Sequence, residues 1–232
     1  MITFSKHAPS PEHTVAIARS LARALRSGDV VALTGDLGAG KTTFVRALAS
    51  AMGAGASSLA ASPTFVLVHR YPMVAESLCP DRAALVHMDA YRLTGADDLE
   101  LLGWDRILDP HTRRASPGSV LIVEWPDRLG PALPAHAHRA NLELTATGPE
   151  SRELRFALPA SWAERPEVEP LSAREVTRCR ITRELVDPAS PTYPFASARA
   201  RDADLGRWFS GEYRISREAE PDELEGPDAP RA

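Results

Sequence analysis

Lysine is nearly missing from this 232-residue chain: Lys6 and Lys41 stand alone, and arginine fills the remaining basic positions. Cysteine is as scarce. Cys79 and Cys179 are far apart and fit no spacing pattern, which excludes a disulfide scaffold. Surplus positive charge is also lacking. A net charge of −4 gives no general pull towards nucleic acid. No apolar run approaches the roughly 18 residues of a membrane span. No signal-peptide core stands near the first residues, so a cytoplasmic location without membrane contact is expected. What remains is the composition of a globular protein, 44% hydrophobic and 25% charged. Its length suits one large domain or a domain with an appendage.

One of the two lysines closes a motif. Gly35-Asp36-Leu37-Gly38-Ala39-Gly40-Lys41-Thr42 fits G-x-x-x-x-G-K-[ST], the Walker A phosphate-binding loop. Glycines let the backbone turn so that successive N–H groups face a phosphate chain. A lysine at Lys41 reaches the β- and γ-phosphates, and a hydroxyl at Thr42 can ligate Mg²⁺. A helix must follow, with its positive end facing the anion. The surroundings agree. Residues 29–34 form a short apolar run that reads as a buried strand. Phe44, Val45, Leu48 and Met52 recur at helical spacing, and Gly53 is a stop.

Residues 11–27 predict a helix with Val15, Ala18, Leu21, Ala22 and Leu25 on one face. Ser62-Pro63-Thr64 is a loop ahead of a strand at residues 65–68. A threonine so placed can sense the γ-phosphate as a switch element, or simply serve the turn. Two apolar runs then end in a carboxylate: 84–89, ending at Asp89, and 119–124, ending at Glu124. This is the Walker B arrangement, with the acid at the carboxyl end of a strand, where open α/β sheets bind ligands. Either acid could serve the metal or the water. Residues 140–146 and 152–158 alternate apolar and polar, as in antiparallel edge strands. The predicted fold is an α/β P-loop nucleotidase. It is a three-layer α/β/α domain with a mostly parallel sheet, antiparallel edge strands and a small C-terminal extension. No guanine-reading N-K-x-D element follows the second acidic strand, which favours ATP over GTP.

Together these motifs resemble the TsaE (YjeE) family. The matching segments are 35–43, Ser62-Pro63-Thr64-Phe65, His87-Met88-Asp89-Ala90-Tyr91-Arg92-Leu93, 99–103 and Val123-Glu124-Trp125-Pro126. The resemblance implies a Mg²⁺-dependent ATPase of the bacterial tRNA N6-threonylcarbamoyladenosine system. Such a protein works with the TsaB–TsaD pair on tRNAs reading ANN codons, and meets tRNA only through that pair. Carried over, the loop amides of residues 35–43 and Lys41 hold the phosphates, and Thr42 and Glu124 hold Mg²⁺. Thr64 belongs to a switch loop, Asp89 lies on the γ-phosphate side and Trp125 lies by the site. The catalytic set is therefore Lys41, Thr64, Asp89 and Glu124, and Arg92 is a candidate arginine finger. Two other classes compete: a P-loop kinase of a small metabolite, and a nucleotide-sensing assembly module that does not need hydrolysis.

The ATPase domain is expected over 1–158, with a Pro-rich linker over 159–171. Residues 172–216 are similar to the YacG family, small zinc ribbons described as DNA gyrase inhibitors. The similarity rests on Asp204-Leu-Gly-Arg-Trp208 and Glu212-Tyr-Arg-Ile215. The four ligand positions of such a ribbon hold Cys179, Thr182, Ala196 and Ala200. One thiolate cannot build a tetrahedral site, so no zinc is expected and gyrase binding does not carry over. Phe195, Leu205, Trp208, Phe209 and Tyr213 could pack instead on the ATPase domain, or the segment could stay partly disordered. Residues 217–232 read as an acidic disordered tail.

Overall fold

Seven strands form one sheet in the computed structural model, which describes residues 1–55, 67–74, 76–81, 83–93, 96–109, 111–112 and 114–210. The strands are β1 (Ile2–Ala8), β2 (Val30–Thr34), β3 (Val68–Tyr71), β4 (Ala84–Asp89), β5 (Ser119–Glu124), β6 (Ala140–Ala146) and β7 (Arg152–Leu158). Their order is β1-β7-β6-β2-β5-β4-β3. The central four, β6, β2, β5 and β4, run parallel. Antiparallel strands flank them: β7 and β1 on one side, β3 on the other. The mostly parallel α/β sheet expected from the motifs is thus present.

Side chains alternate across the strands, so each face has its own core. Val31, Leu33, Leu85, Val120 and Ile122 pack with helices α1 (Pro11–Ala24) and α2 (Lys41–Ala51). Val30, Val86, Met88, Leu121 and Val123 pack on the opposite face with Trp104 and Leu108. There lie two short helices, α3 (Ala96–Leu101) and α4 (Trp104–Ile107). Helix α1 opens at Ser10 with Pro11 at its first position, where a missing N–H costs nothing. It ends at Ala24, three residues before the expected boundary. Val15 lies outside its buried face, at 41% exposure, and Ile17 takes that place at 0%. Among the described residues no helix is long and apolar enough to cross a membrane.

Strand β1 has no counterpart in the sequence reading. Its inward positions are Ile2, Phe4, Lys6 and Ala8, and the lysine breaks the apolar alternation. Lys6 is nonetheless 2% exposed. Its ammonium donates to the carbonyl oxygen of Arg174 at 2.6 Å and to Glu175 at 3.1 Å. The predicted strand at 65–68 appears as β3, shifted towards Tyr71; Phe65 and Val66 lie outside the described residues.

Residues 159–171, expected as a linker, are packed. Trp162, Val168 and Leu171 join the core beneath α1, the last two from helix α5 (Val168–Ala173). Arg165 stacks on the Trp162 ring, 3.9 Å from its centroid, and grips Asp29 with two bonds of 2.6 and 2.9 Å. Beyond it, β8 (Thr177–Arg178) pairs with β9 (Leu185–Val186), and α6 (Ala198–Phe209) follows. Where a zinc ribbon would gather thiolates, Cys179, Ala196 and Ala200 instead share a small apolar core with Val186 and Phe195. The expected packing of the last apolar residues is corrected here. Leu205, Trp208 and Phe209 are 52%, 61% and 74% exposed, and Phe195 packs in the extension's own small core rather than on the ATPase domain; Tyr213 lies outside the described residues. The extension is tied to α1 through Asp187. Its buried carboxylate accepts from Ser20 at 3.2 Å and from Arg23 at 3.1 Å.

Candidate functional site

The loop between β2 and α2 crosses the carboxyl ends of the parallel strands. Its backbone explains its glycines. Gly35 has φ +136°, and a Cβ there would sit 2.3 Å from the Leu144 carbonyl oxygen. Gly40 has φ +100° and opens α2 in a left-handed conformation that side chains resist. The Arg152 guanidinium donates to the Ala39 carbonyl oxygen at 2.8 Å, pinning the loop from β7. Above lies a cavity of about 380 Å³, lined by Leu37, Gly38, Gly40, Lys41, Thr42 and Thr43 of the loop. Asp89, Tyr91, Arg92, Glu124 and Trp125 close its other side.

Lys41 is 5% exposed. Its ammonium donates to the carbonyl oxygens of Gly35 and Asp36, at 2.8 and 2.9 Å. Among the described residues no carboxylate lies within ion-pair distance of it. Burial pulls its pKa below the ordinary lysine value, and the fields of Glu124, Asp89 and Asp36 work against that pull. A buried cation whose hydrogen bonds, among the described residues, go to neutral carbonyls alone is matched to an incoming anion. The Trp125 ring sits under it, 4.1 Å from the ammonium to the ring centroid. Trp125 reaches this place through a left-handed backbone, φ +58°, which costs on the order of 1–2 kcal/mol for a side-chain-bearing residue. Tyr91 packs against the same ring, with centroids 5.2 Å apart.

Strands β4 and β5 run side by side, and their register sets Asp89 opposite Glu124. The two acids differ. Glu124 is 2% exposed and accepts the Thr42 hydroxyl at 3.0 and 3.3 Å. Asp89 is half-buried and accepts the Tyr91 backbone N–H at 3.0 Å. The pairing of Thr42 with Glu124 is a donor set suited to a hard divalent cation: one hydroxyl and one carboxylate beside the glycine loop. Of the site residues expected from the sequence, 35–43, Asp89, Glu124 and Trp125 come together here. Thr64 lies outside the described residues.

Three contributors are given no role by the sequence; His87 and Tyr91 stand there only within the 87–93 segment. Arg152 is one arginine among many, on a strand assigned only to the core. Tyr91 sits in a turn. His87 is fully buried in β4, and its Nε2 lies 2.9 Å from Glu124 Oε1. Its signal was a lone imidazole in an apolar strand two residues before the acid.

The model of the family described as threonylcarbamoyl adenosine biosynthesis protein TsaE matches residues 8–154. The chain belongs to the TsaE family. The TsaE of Bacillus subtilis is 35% identical over 147 residues, 63% of this chain and 80% of that protein. The TsaE of Aquifex aeolicus is 37% identical over 53% of this chain and 76% of its own length. That of Streptomyces coelicolor is 43% identical over 47% of this chain and 64% of its own length, so the chain spans just under two thirds of that relative. All three are named tRNA threonylcarbamoyladenosine biosynthesis proteins. The crystal structure of YdiB from Bacillus subtilis superposes with a TM-score of 0.50 at 28% identity, covering 74% of this chain and 95% of that one. The TsaE match stops short of the last third. There, the model described as DNA gyrase inhibitor YacG matches residues 177–226.

Proposed function

We propose that this TsaE-family chain is a Mg²⁺-dependent ATPase serving tRNA threonylcarbamoyladenosine biosynthesis together with a TsaB–TsaD pair. The observation that carries the reading is the buried, carboxylate-free Lys41 beside the Thr42–Glu124 pair, at the floor of one cavity. The names of the relatives support the pathway. In this reading Lys41 exchanges the carbonyls of Gly35 and Asp36 for β- and γ-phosphate oxygens. The amides of the loop and of the first turn of α2 face the same charge, already oriented before nucleotide arrives. Thr42 and Glu124 hold the metal, which supplies charge neutralisation on the phosphates. Asp89, opposite Glu124 and less buried, orients the attacking water. Trp125 and Tyr91 wall the site, and Thr64 is the switch-loop threonine.

The test is ATP hydrolysis by the purified protein, alone and with its cognate TsaB–TsaD pair, for wild type, Lys41→Ala and Glu124→Ala. Hydrolysis that responds to the pair and falls by about 100-fold or more in both variants is the expected result. A pair that neither binds nor changes the rate removes the assigned partner. Phosphate transfer that waits for an added metabolite would make the chain a kinase.

A further inference from the structure

Glu124 is a buried carboxylate held by two side chains. One is the Thr42 hydroxyl; the other is His87, 0% exposed, whose Nε2 lies 2.9 Å from Oε1. Among the described residues neither arginine nor lysine lies within ion-pair distance of Glu124, and His87 Nδ1 has no hydrogen-bond partner. That orphan decides the tautomer. A proton on Nδ1 would be a buried donor without an acceptor, whereas a lone pair there costs less. The imidazole therefore carries its proton on Nε2 and donates it to Glu124. Residues 85, 87 and 89 of β4 share one side of the sheet with residues 120, 122 and 124 of β5. His87 thus sits directly below the two acids, with its ring packed near-parallel to Tyr71 at 6.3 Å.

We infer that His87 is a positioning residue for the metal site: it fixes the Glu124 carboxylate beside Thr42, in the orientation in which the two would hold the cation. The inference rests on the ATPase reading above. Thr42 can keep donating its one O–H to Glu124 while a lone pair meets a metal, but that hydroxyl would then belong to the same coordination shell as the carboxylate it holds. His87 lies behind the carboxylate and meets no ligand, so its hold persists. Partners that orient a ligating carboxylate are typically worth about 10–100-fold in metal affinity.

The experiment measures binding, not turnover. A fluorescent non-hydrolysable ATP analogue is titrated into the full chain at rising Mg²⁺, and again in EDTA. Wild type is compared with His87→Gln and His87→Asn, and each melting temperature is recorded. The Gln amide N–H reaches the place of Nε2; the Asn amide stops near Nδ1. The expected result is a Mg²⁺ half-saturation raised about 10–100-fold in His87→Asn and held near wild type in His87→Gln, with binding in EDTA alike in all three. If His87→Asn does not fold, His87→Met, which keeps the volume and lacks the donor, replaces it. Equal losses in the Gln and donor-less variants, or none in either, overturn the positioning role while leaving the ATPase reading intact. A wild type whose analogue binding ignores Mg²⁺ overturns that reading, and this inference with it.

Discussion

Arg165→Leu is the sharpest probe of how residues 159–171 belong to the fold. The guanidinium makes two bonds to Asp29, donates to the Ala24 carbonyl oxygen at 2.8 Å and covers the Trp162 ring. Both side chains are largely withdrawn from water, at 16% and 6% exposure. Removing one member of a buried pair typically costs about 3–5 kcal/mol, because the other charge stays buried. Asp29 keeps the Arg26 backbone N–H at 2.7 Å, which favours the low end, about 3 kcal/mol. For a chain of this size that is a fall in Tm of about 6–12 °C. Calorimetric melting reads it. Asp29→Asn combined with Arg165→Leu removes both charges, so the double variant should melt above the sum of the two single losses. A fall of less than about 2 °C, or strict additivity, would mean that the Arg165–Asp29 pair holds little and that the segment is a loose connector.

Two further outcomes follow from the geometry. Gly35→Ala forces a Cβ against the Leu144 carbonyl oxygen, so the loop must shift; binding of the fluorescent ATP analogue should weaken by about tenfold or more, read by anisotropy. For Cys179, burial pushes the thiol up, but the backbone amides of Thr182, Ala196 and Ile181 outweigh it and bring the pKa down to about 7 from an ordinary 9.0. A folded value below the unfolded one adds stability that is full above pH 9 and lost as pH falls through 7. Urea midpoints measured across pH 7–9 in reductant should therefore rise in wild type more than in Cys179→Ser; parallel curves would contradict it.

The glycine loop, β4, β5, β6 and β7 were legible because each obeys a local rule: glycines where φ is positive, apolar runs ending in an acid, strict alternation. What escaped was set by distant partners. β1 hid behind Lys6, whose inward ammonium is acceptable only because the Arg174 carbonyl and Glu175 wait for it 168 and 169 residues away. The segment from 159 to 171 reads as a linker by its prolines and charges, until Asp29 supplies the counter-ion for Arg165. The exposed Trp208 and Phe209 break the usual rule in the other direction: α6 has a strongly polar sequence and buries only Ala200. Within the site, Arg152 and His87 act on the loop and on Glu124 through the fold; no spacing announces Arg152, and the imidazole before Asp89 does not reveal that its partner is Glu124 on the next strand.

The near-absence of lysine has a practical outcome. Lys6 is locked beneath the extension, and Lys41 opens only towards the cavity. Apart from the α-amino group of Met1, the surface offers an amine-reactive reagent nothing to attack. A small acylating probe would then read out the proposed nucleotide site by itself. Modification of one peptide, that bearing Lys41, would report occupancy by mass spectrometry, protected by bound nucleotide and restored on its release, without a label or a mutation.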